Sequence, residues 1–276
     1  MKVTSLIDNV SHSQLGSEHG LSLYIETKDG RKILFDMGQT DMFLRNAESL
    51  GIDISKVDIA ICSHGHYDHM GGLAAFIHKN TSAPICFHPE ALAKRYSLRE
   101  DGMAMIGPQL TDGDVSELKQ RQISVPHVGL DFITFSTPYL PDDSLFPPGN
   151  SLLFGQDKTQ NDDFAHEQSL IIKEGNLTFL FAGCAHQGIT HIIRQASLIL
   201  GSAPDYVFSG MHLAHLDRCH PQPHNFIRQL ADNLMIYTNT HFYTMHCTGL
   251  PAYEELKKLM NAQIDYLACG ECVNIE

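Results

Sequence analysis

The stretch "ICSHGHYDHMGG", Ile61–Gly72, decides how the chain is read, because it sets three histidines and one aspartate within positions 64–69. It follows "VDIAICS", an apolar run of the kind that forms a buried strand. It precedes "GGLAAFIHKN", which reads as a helix with Leu73, Phe76 and Ile77 in register. The four polar residues therefore lie where a strand ends and a helix begins. A loop leaving a strand can aim His64 and His66 the same way, with Gly65 between them permitting a tight turn. Imidazole and carboxylate at this density suit Zn, Fe or Mn, whereas Ca and Mg prefer shells made of oxygen. A single histidine here would read as a cap or a solvated side chain. Four ligand-type residues in so short a span read as a metal site.

Outward from this stretch the chain falls into two halves. In the first, "GLSLYIET" and "RKILFDMG" flank "KDG" as two strands around a hairpin turn. "DMFLRNAESLGI" reads as a helix with Phe43, Leu44, Ala47 and Leu50 on one face and Gly51 as its stop, and "APICFH" as another strand. In the second half "LTFLFAG", "PDYVFSG" and "HFYTMH" read as strands. They alternate with helices over "GITHIIRQASLILG", "QPHNFIRQLADNLM" and "PAYEELKKLMNA", and "DYLACGECVNI" reads as one last strand. Between the halves, at about 88–166, "TPYLPDD", "FPPGN" and "GQDKTQNDDF" are rich in Pro, Gly and Asp. This segment reads as loops and irregular β structure, a substrate-side insertion with too few apolar runs for a core of its own. The expected organisation is one α/β domain spanning 1–276.

Composition narrows the function classes. Hydrophobic residues make up 43% of the 276 and charged residues 18%, enough for a full core. The formal net charge of −13 repels polyanions, so a nucleic-acid partner is not expected. The N-terminal "MKVTSLIDNVSHSQLG" does not read as a signal peptide, and no run approaches the roughly 20 apolar residues of a membrane span. Seven scattered cysteines, an odd number, suit reduced thiols and a cytoplasmic location.

"SHGHYDHMGG" carries the His-x-His-x-Asp-His signature, and the chain resembles the metallo-β-lactamase-fold superfamily of metal-dependent hydrolases. "ILFDMG", "FLFAGCAH" and "FYTMHCTG" resemble its other markers and follow in the same order. Together with "LIDN", "EHGLSLYIE", "FAGCAHQGI" and "SGMHL", they are similar to one branch in particular. That branch holds generic hydrolases and the methanopterin-pathway dihydropterin–ribofuranosylaminobenzene phosphate synthase. The resemblance implies a four-layer αββα sandwich with two divalent metals, zinc first and Fe or Mn next. It matches His64 and His66 to ligands of one metal, Asp68 and His69 to ligands of the other, and His246 to the last histidine of the second. The remaining positions depart from the pattern. "NDDFAHEQSLII" lacks the usual His-x-Pro-Gly context and offers Glu167, Asp163 or His166. "AGCAH" replaces the usual bridging aspartate with Cys184, or with His186 two residues on; His186 is favoured for its reach and because Gly188 opens a helix. Asp36 is expected to hydrogen-bond a ligand histidine from behind, fixing its tautomer.

Other residues fall around this frame. His212 in "SGMHL" is a candidate to touch substrate or protonate a leaving group, or else a solvated cap. His19 in "SEHGLS" is a candidate pocket residue, and Asn9 a weaker one. "FHPEALAKRYSLRE" gathers Lys94, Arg95 and Arg99; on a helix Arg95 and Arg99 share a face, either as a substrate-phosphate site or as a solvated surface. Met103 and Met105 read as a lid or as core filler. "CGEC", Cys269–Cys272, reads as structural thiols more readily than as a redox pair.

The resemblance implies a dinuclear hydrolase that uses a metal-bound hydroxide, with Asp68 as base, on a small phosphate- or carboxylate-bearing substrate. The alternatives are a C–N bond-forming synthase of the dihydropterin type and a non-catalytic metal sensor. The expected partners are a small molecule and at most a second copy in a homodimer, with no membrane.

Overall fold

The computed structural model describes residues 1–129 and 132–276; Leu130 and Asp131, inside the expected insertion, lie outside the described residues. In chain order the first elements are β1 (Lys2–Ile7), β2 (Ser22–Glu26), β3 (Lys32–Phe35), α1 (Met42–Ser49), β4 (Ile59–Ile61), α2 (Tyr67–Met70), α3 (Leu73–Lys79) and β5 (Ile85–Cys86). There follow β6 (Tyr96–Arg99), β7 (Gly102–Met105), α4 (Asp112–Gln120), β8 (Gln122–Ile123), β9 (Phe132–Phe135), β10 (Leu153–Phe154), β11 (Ser169–Glu174) and β12 (Leu177–Ala182). The last are α5 (Ile189–Leu200), β13 (Tyr206–Ser209), α6 (Leu216–Cys219), α7 (Pro223–Met235), β14 (His241–Thr244), α8 (Leu250–Met260), β15 (Ile264–Tyr266) and β16 (Cys272–Asn274). They divide into two compact units. One comprises Met1–Lys94, Ile106–His127 and Leu267–Glu276; the other comprises Arg95–Met105 and Val128–Tyr266.

The first unit is a seven-stranded sheet in the order β16-β1-β2-β3-β4-β5-β8. The four strands from β16 to β3 pair antiparallel, and β3 to β8 run parallel. The hairpin read at "KDG" is present: Gly30, at φ +89, donates its N–H to Thr27 O, and Leu23 faces Phe35 across the ladder. β4 is buried at every position, as a parallel strand covered on both faces must be. Phe43 and Ala47 of α1, Leu73, Phe76 and Ile77 of α3 and Leu118 of α4 share one apolar cluster with Leu34, Ala60 and Ile85 of the sheet. Two details of α1 differ from its sequence reading. Leu50 is exposed, and Asn46 is buried because its amide donates to Leu6 O and Gly16 O, both at 2.8 Å.

The second unit holds a six-stranded sheet, β15-β14-β13-β12-β11-β9, and a small sheet, β10-β6-β7. Strands β12 to β15 are parallel, and β11 pairs antiparallel with β12 and β9. α5 buries Ile189, Ile192, Ile193 and Ala196 at helical spacing and ends at Gly201, whose φ of +81 lets its N–H close on Ser197 O. Those residues pack with Phe226, Leu230 and Leu234 of α7, Leu256 of α8 and Phe242 of β14.

Two sequence expectations are corrected. "DYLACGECVNI" is two strands, not one: β15 closes the six-stranded sheet, and β16 pairs with β1 in the other unit. The break is a turn at Gly270, φ +87, which no extended run can pass through. The helix on which Arg95 and Arg99 of "FHPEALAKRYSLRE" would share a face is instead a single 3-10 turn at Pro89–Leu92, then β6 in a hairpin with β7. The His88 ring caps that turn by accepting from Glu90 N–H, and Ala93 is already extended, so Arg95 and Arg99 share no helical face. Met103 and Met105 lie on the exposed side of this hairpin rather than in a core. The expected insertion at about 88–166 thus supplies strands to both units.

Candidate functional site

In the first unit the residues after β4 form a turn braced by one buried carboxylate. Asp36 sits in the left-handed region at φ +59, and its side chain is buried. Its Oδ1 accepts from Ser63 N–H at 2.7 Å, and its Oδ2 accepts from Ser63 Oγ at 2.6 Å and from His69 Nδ1 at 2.7 Å. The hydroxyl proton of Ser63 is used on Asp36, so Ser63 Oγ, 2.8 Å from His64 Nδ1, accepts from that ring. Both rings therefore carry their proton on Nδ1 and present the Nε2 lone pair. His64 Nε2 lies 3.0 Å from His66 Nδ1. Two nitrogens each ~2.0–2.1 Å from one tetrahedral ion stand about 3.3 Å apart, so this pair is already spaced to share a metal. Gly65 is needed for space: a Cβ there would meet Ala91 O at 2.2 Å.

α2 then carries Asp68 and His69, both buried. Asp68 Oδ2 is 3.1 Å from His19 Nε2. Asn9 Oδ1 accepts from Gly20 N–H, which directs Asn9 Nδ2 to His19 Nδ1 at 3.3 Å. His19 Nε2 is thus the protonated nitrogen and donates to Asp68, while the His19 side chain remains 49% exposed.

In the second unit the strand ends are the anchor points. After β12 come Cys184, Ala185 at φ +56, and His186. Glu167 accepts the backbone N–H of His186 at 2.7 Å on Oε1 and that of Gln187 at 2.9 Å on Oε2, so its carboxylate serves to fold this turn. Asn150 Nδ2 donates to His186 O at 2.7 Å, and its Oδ1 faces His186 Nδ1 at 2.9 Å. This again puts the ring proton on Nδ1. Phe164 stacks on the ring at 4.5 Å. After β13, His212 at φ +51 lies with its ring 4.3 Å from that of His186. After β14, His246 at φ +49 is buried. Beside it, burial pushes the Cys247 thiol up. Hydrogen bonds with Cys184 and His212 and the charges of His246 and His212 outweigh this and hold it well below the ordinary thiol range.

The other candidates have partners of their own. His166 Nε2 and Arg95 Nε both meet Asp162 Oδ2, at 3.1 and 2.9 Å, in a buried cluster. Asp163 Oδ1 caps Ala165 N–H. Cys269 is buried against Leu6 O and Gly16 O, and burial pushes it up to about 11, whereas Cys272 is exposed. Ser63, Asn150 and Cys247 are the participants that sequence reasoning did not single out. Ser63 and Cys247 flank motif histidines, and Asn150 sits in "FPPGN", but nothing in their local pattern announces a bond to a distant side chain. Among the described residues no helix is long and apolar enough to cross a membrane.

The sequence profile of the metallo-beta-lactamase superfamily matches residues 15–194. An uncharacterised protein of Methanocaldococcus jannaschii is 27% identical over 93% of this chain and 94% of its own length. The 7,8-dihydropterin-6-methyl-4-(beta-D-ribofuranosyl)-aminobenzene-5'-phosphate synthase of the same organism is 25% identical over 99% of this chain and 96% of its own length. Among solved structures, Tm1679, a metal-dependent hydrolase of the beta-lactamase superfamily, superposes with a TM-score of 0.80 at 24% identity. That match covers 100% of this chain and 99% of Tm1679 and shows the same mixed α/β fold.

Proposed function

The chain belongs to the metallo-beta-lactamase superfamily, and on that premise we propose that it is a divalent-metal-dependent hydrolase of a small, phosphate- or carboxylate-bearing molecule. The observation that carries this reading is the His64–His66 pair, buried and spaced at 3.0 Å with the His64 tautomer already set by Ser63. His69 is set for the same task by Asp36. In the second unit the resemblance assigns His246 as a donor, and His186 is the donor favoured where the family pattern is departed from. At the bridging position we keep His186 over Cys184; at the other open position Glu167 is disfavoured, because its two oxygens receive backbone N–H groups. Zinc is the metal assigned, since imidazoles dominate the donors; iron and manganese accept the same set.

Bound divalent metals would supply a water of lowered pKa and positive charge opposite a developing oxyanion. The chain's own residues do the rest. Asp68 orients the attacking water and takes its proton, and the N–H of His19 holds the Asp68 carboxylate in place. His19, half exposed, is also positioned to meet a substrate. The net charge of −13 argues against a nucleic-acid substrate, and the reduced thiols favour a cytoplasmic setting. The test is to strip the full chain of metal, reload it with zinc and assay phosphodiesters, lactones, thioesters and amides. Turnover of one class, dependent on zinc and lost in His66→Ala, is expected. A zinc-loaded protein inert toward all four classes sinks the reading.

A second reading is a C–N bond-forming transferase, favoured because the named synthase aligns along almost the whole of both chains. Incubation with a dihydropterin pyrophosphate and an aminobenzene ribofuranoside phosphate separates the two. A product joining them establishes the transferase; intact starting materials remove it.

A further inference from the structure

The second unit holds a donor group that the preceding reading does not use. The thiols of Cys184 and Cys247 and one ring nitrogen of His212 all lie within 4.8 Å of one another. They come from three places in the sequence: Cys184 follows β12, His212 follows β13 and Cys247 follows β14. These strands are parallel neighbours in one sheet, so their carboxyl ends emerge side by side, and that is what gathers the three donors.

The local backbone is shaped around the group. His212 N–H is directed at Cys247 Sγ, 3.3 Å away, with His212 in the left-handed region. Gly210 leaves room for the sulfur, since a Cβ there would lie 2.5 Å from it. Both cysteines are buried thiols, and neither is in a disulfide; His212 is half-buried.

We propose that Cys184, Cys247 and His212 form a thiolate–imidazole metal site that takes Zn(II), with its fourth position open to a small ligand. Two sulfurs and one nitrogen make a soft donor set that favours zinc over magnesium, calcium or manganese. Three protein ligands with one open position are the pattern of reactive zinc sites, whereas structural sites close with four. Binding draws the donors in to the ~3.5–3.8 Å edges of a tetrahedron, and each thiol releases its proton to solvent. The hydrolase reading proposed above takes His186 rather than Cys184 as a donor and assigns no metal to His212 or Cys247.

The probe is Co(II) added to the metal-free full-length chain and read by absorbance. Thiolate ligation gives an intense ultraviolet sulfur-to-cobalt charge-transfer band that imidazole and carboxylate ligands do not. The band is expected in the wild type, at about half intensity in Cys184→Ser or Cys247→Ser, and absent in the double variant. It is expected to disappear on adding Zn(II) and to survive His64→Ala. No band in the wild type, or a full band in the double variant, overturns the proposal. Should the serine variants not fold, X-ray absorption of the wild type loaded with one zinc per chain decides: two sulfur neighbours at ~2.3 Å support the site, and one or none overturns it. Loss of hydrolysis in His64→Ala with the band retained tests the two readings separately.

Discussion

In the first unit His69 rests its Nδ1 on the carboxylate of Asp36, 2.7 Å away; in the second, His186 rests its Nδ1 on the side-chain amide of Asn150, 2.9 Å away. Both partners fix the same tautomer and leave Nε2 as the donor atom. They differ in charge and in reach. Asp36 is an anion that also holds two groups of Ser63, so it organises the whole turn and strengthens His69 as a ligand. Asn150 is neutral and serves His186 alone, through its ring and its carbonyl. The folding of the second turn is delegated to Glu167, which takes two successive backbone N–H groups. One side chain in the first unit thus does work that two share in the second.

The largest effect expected from this contrast is at Asp36. Asp36→Ala leaves three buried donors without an acceptor, at ~1–3 kcal/mol each, so a loss of about 4 kcal/mol in denaturant titration is expected. Asp36→Asn keeps the volume but sets an amide N–H against groups that need an acceptor, and zinc affinity should fall ~10–100-fold in a chelator competition. Glu167→Ala comes next. It uncovers two backbone N–H groups and should cost about 3 kcal/mol, while zinc affinity falls less than in Asp36→Asn. Asn150→Ala is smaller, about 1–2 kcal/mol, with zinc affinity falling roughly 10-fold. If Asn150→Ala proved as costly as Asp36→Ala, the division of labour between the two turns would be wrong.

The sequence made the first turn legible because its donors are contiguous: a strand, four ligand-type residues and a helix can be read from one window. Helices α3 and α5 were equally plain, since their buried residues fall at helical spacing. The second turn was harder. The donors of the second unit follow three different parallel strands, and the braces of His186, Asn150 and Glu167, lie 36 and 19 residues from it. Hydrogen bonds over such separations leave no local pattern. The shared helical face considered for Arg95 and Arg99 does not form, because the 3-10 turn and the extended Ala93 lead into the β6–β7 hairpin instead. The last strand was read as continuous because the apolar run in "DYLACGECVNI" masks the turn at Gly270.

The smallest effect comes from a histidine–carboxylate pair that lacks burial and so isolates what the Asp36 site adds. His224 Nδ1 lies 2.7 Å from Glu255 Oε2 on the surface of the second unit, with the His224 side chain 85% exposed. The hydrogen bond that His224 donates to Glu255, and then the Glu255 charge, raise the His224 pKa above its ordinary ~6.5. Because the folded value is raised, the pair's contribution to stability is fully present below the unfolded pKa and is lost as the pH climbs through the folded one. Proton NMR titration of the His224 ring should show this raised midpoint, and Glu255→Gln should bring it back toward ~6.5. Solvent and salt screen such a pair, so the denaturation midpoint should barely move between Glu255→Gln and the parent chain at any pH. The same pairing of imidazole and carboxylate, taken out of water and given Ser63 as a further donor, is what makes Asp36 the residue on which the first turn depends. A Glu255→Gln effect on stability comparable to that of Asp36→Ala would show that burial is not the source of the difference.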